Sequence, residues 1–156
     1  MGKVRSKLRA RILVCVEAGA VAAMTTARAL MGVADPKDTG AYHLIVFDEA
    51  SQVSLAHALA LLPLARRARF AGDPKQLAPV VKASVSNGPA ARWLGRTAFD
   101  LVEPGEATEF LDEQSRMAEP ICRLVSEAFY EGRLRVAGDA LASPVWHAER
   151  SGTNCG

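Results

Sequence analysis

Asp48 and Glu49 stand side by side directly after four apolar residues, Leu44, Ile45, Val46 and Phe47. Neighbouring like charges repel, and carboxylates at the end of an apolar run lose hydration. A metal ion or a reacting water is a natural compensation for such a pair. Two further polar clusters follow short apolar runs in the same way: Thr25–Thr26, and the stretch from Gly72 through Gln76.

The elements that must position these clusters follow from local pattern. AVAAMTT (20–26) reads as a short buried strand with a polar exit, and ARALMG as a short helix closed by Gly32. MGVADPKDTGAY is a loop rich in Gly, Asp and Pro. HLIVFD is a continuous apolar run, the pattern of a strand covered on both faces. SLAHALALLPL places Leu55, Leu59 and Leu62 at helical spacing, with Ser54 as N-cap and Pro63 marking the end. RARFAGD is a second strand running into a turn, and GDPKQLAPVV a loop. ARWLGRTAFDLV reads as a helix with Trp93, Leu94 and Phe99 inward, and ATEFLDEQ as a third strand. EPICRLVSEAFY is an amphipathic helix with Pro120 in its first turn and Ile121, Leu124, Val125, Ala128 and Phe129 on its apolar face. Pattern fades after Arg135. Strands alternating with helices predict an α/β fold with a mostly parallel sheet and flanking helices. In such sheets ligands sit at the carboxyl ends of the strands, where the three polar clusters fall.

Composition sets outer limits. The chain has 156 residues, with 49% hydrophobic and 23% charged residues, as in a soluble globular protein rather than a disordered one. The net charge of +2 permits nucleic-acid binding without demanding it. Cys15, Cys122 and Cys155 show no CxxC spacing, which points to a reducing, cytoplasmic setting without structural zinc. No apolar run reaches the length of a membrane span. Lys3, Arg5, Lys7, Arg9 and Arg11 alternate strictly, and are read as a solvated face before a phosphate-tracking arm. His43, His57 and His147 lack the mutual spacing of a metal site, and Trp93 and Trp146 read as packing residues.

Taken together and in order, LIVFDEASQ, RFAGDPKQLAPVV and FLDEQSRMAEPICRLVSEAFYEGRL resemble superfamily 1 helicases, in the branch of the eukaryotic RNA-surveillance helicase. The resemblance implies an incomplete RecA-like P-loop NTPase domain using ATP and Mg²⁺ on single-stranded or duplex nucleic acid. DEASQ then corresponds to the Walker B motif, with Asp48 holding the metal and Glu49 orienting and deprotonating the attacking water. That division of labour suits phosphoryl transfer. By the same resemblance, Gln76 contacts the γ-phosphate and Asp73 shapes its turn, Arg116 of QSRM reaches the γ-phosphate, and Thr25 and Thr26 of MTTARAL bond nucleic-acid phosphates. Without the family, these residues also fit plainer readings: a solvated strand end for Asp48–Glu49, turn residues for Asp73 and Gln76, a surface ion pair for Arg116, a helix cap for Thr25–Thr26.

The sequence departs from the family pattern in two places. Ser115 stands where the family often has an aromatic residue able to stack on adenine, and no GxxxxGK[ST] occurs in the sequence. The expected organisation is therefore a basic and apolar segment at 1–19, a partial first motor domain at 20–112, the start of a second at 113–137, and an irregular tail at 138–156. Such a piece is expected to be inactive alone and to need the remaining helicase segments as partners. The strand that leads into the phosphate loop in the family would lie beside RARFAG, so its absence exposes an edge that invites association. The rival expectation is a non-catalytic helicase-like adaptor that binds nucleic acid or a partner protein.

Overall fold

The computed structural model describes residues 19–32, 34–80, 95–102 and 107–150, with 10, 12, 93 and 105 besides. The alternating basic residues at 3–11, Cys15, Leu94, the polar connection at 82–90 and Cys155 lie outside the described residues. The chain divides into two compact units, Met1–Glu103 and Pro104–Gly156, a junction that precedes the one expected at 112/113.

The first unit is built on two parallel strands. Strand β1 (Ile45–Phe47) pairs with β2 (Ala68–Phe70) in the register Ile45↔Ala68, Val46↔Arg69, Phe47↔Phe70. Phe47 and Phe70 stack with centroids 5.2 Å apart, which locks that register. Helix α1 (Thr26–Gly32) precedes the strands, and α2 (Leu55–Leu61) connects them. Ser54 caps α2 as its sequence predicts, accepting the His57 N–H, while Pro63 sits inside a 3₁₀ turn (Leu62–Leu64) that prolongs the helix. Phe47, Ala50, Val53, Ala58, Leu61, Leu64 and Ala98 form the core.

Four expectations need correction here. Residues 20–25 form no strand: Val21 is 96% exposed, and the segment has no ladder partner among the described residues. An extended segment left without a neighbour keeps its backbone groups on water, whatever its β-propensity. Strand β1 is covered on one face rather than two, since Phe47 is buried and Val46 is 56% exposed. On α2 the inward residues are Leu55, Ala58 and Leu61, and Leu59 faces solvent. In the expected helix at 91–102, Trp93 is helical but exposed rather than inward, the chain turns at Gly95, and Ala98–Leu101 form a 3₁₀ turn opened by a capping box between Thr97 and Asp100.

The second unit has its own pair of parallel strands, β3 (Glu113–Gln114) and β4 (Arg135–Val136), joined through α3 (Glu119–Phe129). Arg135 bridges Asp112 and Glu113 at 3.2 and 3.0 Å. Pro120 occupies the first turn of α3, as expected. Its buried face, however, is Cys122 and Ser126, while Ile121, Phe129 and Leu124 (68% exposed) point outward. Ser126 is buried because its Oγ accepts the Leu134 N–H at 2.9 Å, which joins the helix to the chain entering β4. The strand expected over 107–114 is reduced to two residues, because β4 offers only two partners.

The tail expected to be irregular is helical through Arg150. Helix α4 (Gly138–Leu141) is followed by α5 (Pro144–Arg150), which Ser143 opens by accepting the Trp146 N–H. Ser-Pro is a helix-start signal, since Pro at the first position lacks only an N–H that would be unsatisfied anyway. Trp146 of α5 packs into a core with Cys122, Val136 and Ala140.

Candidate active site

Both acids of the first unit sit on the turn that leaves β1. Glu49 adopts left-handed backbone angles, φ 48° and ψ 47°, uncommon for a residue with a side chain. The surroundings hold it there. Asp48 Oδ1 accepts the Glu49 N–H at 3.0 Å, Glu49 C=O accepts the Gln52 N–H at 2.8 Å, and the Ala50 N–H is bound to the Ala71 carbonyl at 2.9 Å. Both carboxylates are exposed, and no cation pairs with either among the described residues. The pair is thus left facing solvent.

The exit of β2 is packed against the same turn. The Ala71 N–H donates to the Phe47 carbonyl at 2.8 Å, and a Cβ placed on Gly72 would lie 2.7 Å from the Ala50 nitrogen. Only glycine lets the GDPKQ loop approach the peptide that follows Glu49 this closely, and its φ of +154° also favours glycine. Asp73 then shapes the loop as expected: its Oδ1 accepts the Lys75 N–H at 2.9 Å and its carbonyl the Gln76 N–H at 3.1 Å. Its second oxygen accepts the Gln76 side-chain amide at 3.3 Å, so the glutamine is oriented by the turn. The structure thus brings Asp48, Glu49, Asp73 and Gln76 onto one strand-exit edge. Thr25 caps α1, its Oγ1 accepting the Arg28 N–H at 3.2 Å, which leaves its hydroxyl proton as a donor.

In the second unit, Arg116 lies just past β3, in a loop whose backbone is held by side chains. Gln114 spans the loop, accepting the Met117 N–H at 2.6 Å and donating to the Met117 carbonyl at 3.1 Å. The Trp146 indole N–H donates to the Ser115 carbonyl, and Arg150 Nε donates to the Arg116 carbonyl at 2.8 Å. Arg116 itself is exposed, and among the described residues nothing pairs with its guanidinium. The surface ion pair allowed by the sequence is not formed among the described residues. Gln114, Trp146 and Arg150 are residues the sequence reading missed. For Gln114 the signal was its place beside Ser115. For the other two only the helical start at Ser143–Pro144 hinted that this segment was ordered. No group of three or more metal-ligating side chains occurs among the described residues, and none of their helices is long and apolar enough to cross a membrane.

The first unit thus carries adjacent carboxylates and a glycine-closed polar loop at one parallel strand edge, and the second unit carries an exposed arginine just past its own strand. Residues 7–143 match the AAA domain family, and the chain belongs to it. The DNA replication ATP-dependent helicase/nuclease DNA2 of Xenopus laevis is 37% identical over 119 residues, covering 74% of this chain and 11% of that protein. The probable helicase MAGATAMA 3 of Arabidopsis thaliana is 32% identical over 120 residues, 73% of this chain and 14% of its own length. The helicase SEN1 of Saccharomyces cerevisiae is 31% identical over 110 residues, 68% of this chain and 5% of its own. The chain therefore spans a small part of each relative, and its resemblance to superfamily 1 helicases is borne out.

Proposed function

We propose that this chain supplies the water-activating and γ-phosphate-contacting parts of an ATP-dependent superfamily 1 helicase, within an incomplete RecA-like arrangement. The observation that supports this most is the close approach of Gly72 to the Glu49–Ala50 peptide, which makes one rigid edge of DEASQ and GDPKQ. Asp48, with an exposed carboxylate oxygen that pairs with no side chain among the described residues, suits Mg²⁺, which favours one or two carboxylates together with substrate phosphates. When bound, that ion neutralises charge on the phosphates. Glu49 takes the proton of the attacking water, Gln76 orients that water against the γ-phosphate, and Arg116 stabilises the charge spread over its oxygens. A positioned base contributes ~10²–10⁴-fold and an arginine finger ~10³–10⁵-fold. Thr25 and Thr26 donate to nucleic-acid phosphates, which position the strand without reading sequence.

No GxxxxGK[ST] occurs in these 156 residues, so the α- and β-phosphates need a cradle from a segment outside them. The test is ATP turnover, stimulated by single-stranded nucleic acid, of the chain mixed with an upstream-encoded polypeptide carrying that loop. The chain alone is expected to be inactive and the mixture active, and Glu49→Gln is expected to lower turnover by about 10²–10⁴-fold. Full turnover with Glu49→Gln defeats the assignment of the base. If the chain binds nucleic acid and turnover stays absent even with that loop supplied, the reading becomes a non-catalytic helicase-like adaptor.

A further inference from the structure

The loop Gln114–Met117 poses a physical puzzle. Its main chain is bound by three side chains, yet the one long charged side chain it carries pairs with nothing among the described residues. Three side chains bind its backbone: Gln114 at both polar groups of Met117, Trp146 at the Ser115 carbonyl, Arg150 at the Arg116 carbonyl. Those side chains are themselves fixed. Trp146 is buried against Cys122, Val136 and Ala140, and its backbone N–H donates to Ser143 Oγ. The Arg150 guanidinium lies over the Trp146 ring at 4.9 Å, donates to the Trp146 carbonyl at 3.2 Å and pairs with Glu149 at 3.0 Å. An arginine merely decorating a surface gains nothing from such support. One that must meet a phosphate at a set place does, because a misplacement of about 1 Å at a reacting centre costs about 10²-fold in rate.

We propose that Gln114, Trp146 and Arg150 are positioning residues that aim Arg116 at the γ-phosphate through its backbone, with α5 as the rigid mount. This assignment rests on the reading of Arg116 as the arginine finger. Arg150 is the informative member, since it spends its Nε on a carbonyl and leaves the phosphate to Arg116.

The test uses the full chain with its phosphate-loop polypeptide, and the variants Trp146→Phe and Arg150→Met. The first keeps an aromatic ring in the core and removes the N–H; the second keeps an apolar stem over the indole and removes the donors. Each is expected to lower kcat about 10- to 100-fold with KM unchanged, because the contact being misaimed is made in the transition state. In an Arg116→Ala background neither is expected to lower kcat further. On the 156-residue chain alone, ¹⁵N relaxation is expected to show residues 115–117 loosened by Arg150→Met while β3 and β4 stay ordered. Unchanged kcat in both variants, an equal drop with and without Arg116, or unchanged order at 115–117 each overturns the mount while leaving the finger in place. Unchanged kcat in Arg116→Ala alone, or a mixture without turnover, overturns the parent reading and the mount with it.

Discussion

The two units hold their functional groups by opposite means. In the first, main chain holds main chain: the turn bearing Asp48 and Glu49 is fixed by the Ala71 peptide and by a glycine pressed against the Ala50 nitrogen, at the cost of a left-handed glutamate. In the second, side chains hold main chain: a glutamine, an indole and a guanidinium capture the polar groups of the loop carrying Arg116. The lesson concerns sensitivity. A backbone contact has no rotamer with which to yield, so one methyl group disturbs it. A harness of several side chains degrades in steps.

Four substitutions sharpen that contrast. Gly72→Ala should be the most damaging, because the new Cβ meets a backbone nitrogen at 2.7 Å rather than a flexible side chain. A loss of about 3 kcal/mol is expected, read as a fall in the denaturation midpoint together with lost exchange protection of the Ala50 and Ala71 amides. A loss below about 1 kcal/mol would mean that the turn yields and the comparison is wrong. Gln114→Met removes two bonds at Met117 but leaves the remaining members of the harness. About 1–2 kcal/mol is expected, confined to amides of the second unit in hydrogen exchange.

Glu49→Gly has the opposite sign. Relief of the left-handed backbone, about 1–2 kcal/mol, exceeds the extra chain entropy of glycine, about 0.5–1 kcal/mol. The first unit should become slightly more stable while the mixed enzyme loses turnover, and thermal melts beside ATPase assays would separate the two. Stability that falls instead would show that Glu49 is not strained. The smallest effect belongs to Ser51, a buried residue whose Oγ has no hydrogen-bond partner among the described residues. Ser51→Ala should be neutral or stabilising by roughly 0.5 kcal/mol, and a clear destabilisation would reveal a partner for that hydroxyl.

Much of the local structure was legible in the residues. Ser54 as a cap, Pro120 in a first turn and Gly32 at a helix end rest on short-range chemistry that needs no neighbour, and the apolar runs around Val46 and Arg69 became strands because each has the other as partner. The faces were not legible. Ile121, Leu124 and Phe129 recur at helical spacing, yet α3 buries Cys122 and Ser126, because a repeat names a face without naming what covers it. Residues 20–25 failed for the same reason, since a strand is a relation between two segments. The helical tail was missed because its signal, one serine before one proline, is too brief to register as periodicity.

The amino-acid order by itself determined the chemistry on offer: two adjacent acids, a glycine before Asp73, an arginine after Gln114 and Ser115, and relatives that are helicases. Each of these is a statement about residue type and spacing along one chain. Tertiary structure alone decided how the groups are held, that Gly72 abuts the peptide after Glu49 and that Trp146 and Arg150 reach back more than thirty residues to grip Ser115 and Arg116. Hydrogen bonds between distant segments depend on where the packed core brings their atoms, and no local pattern encodes that meeting.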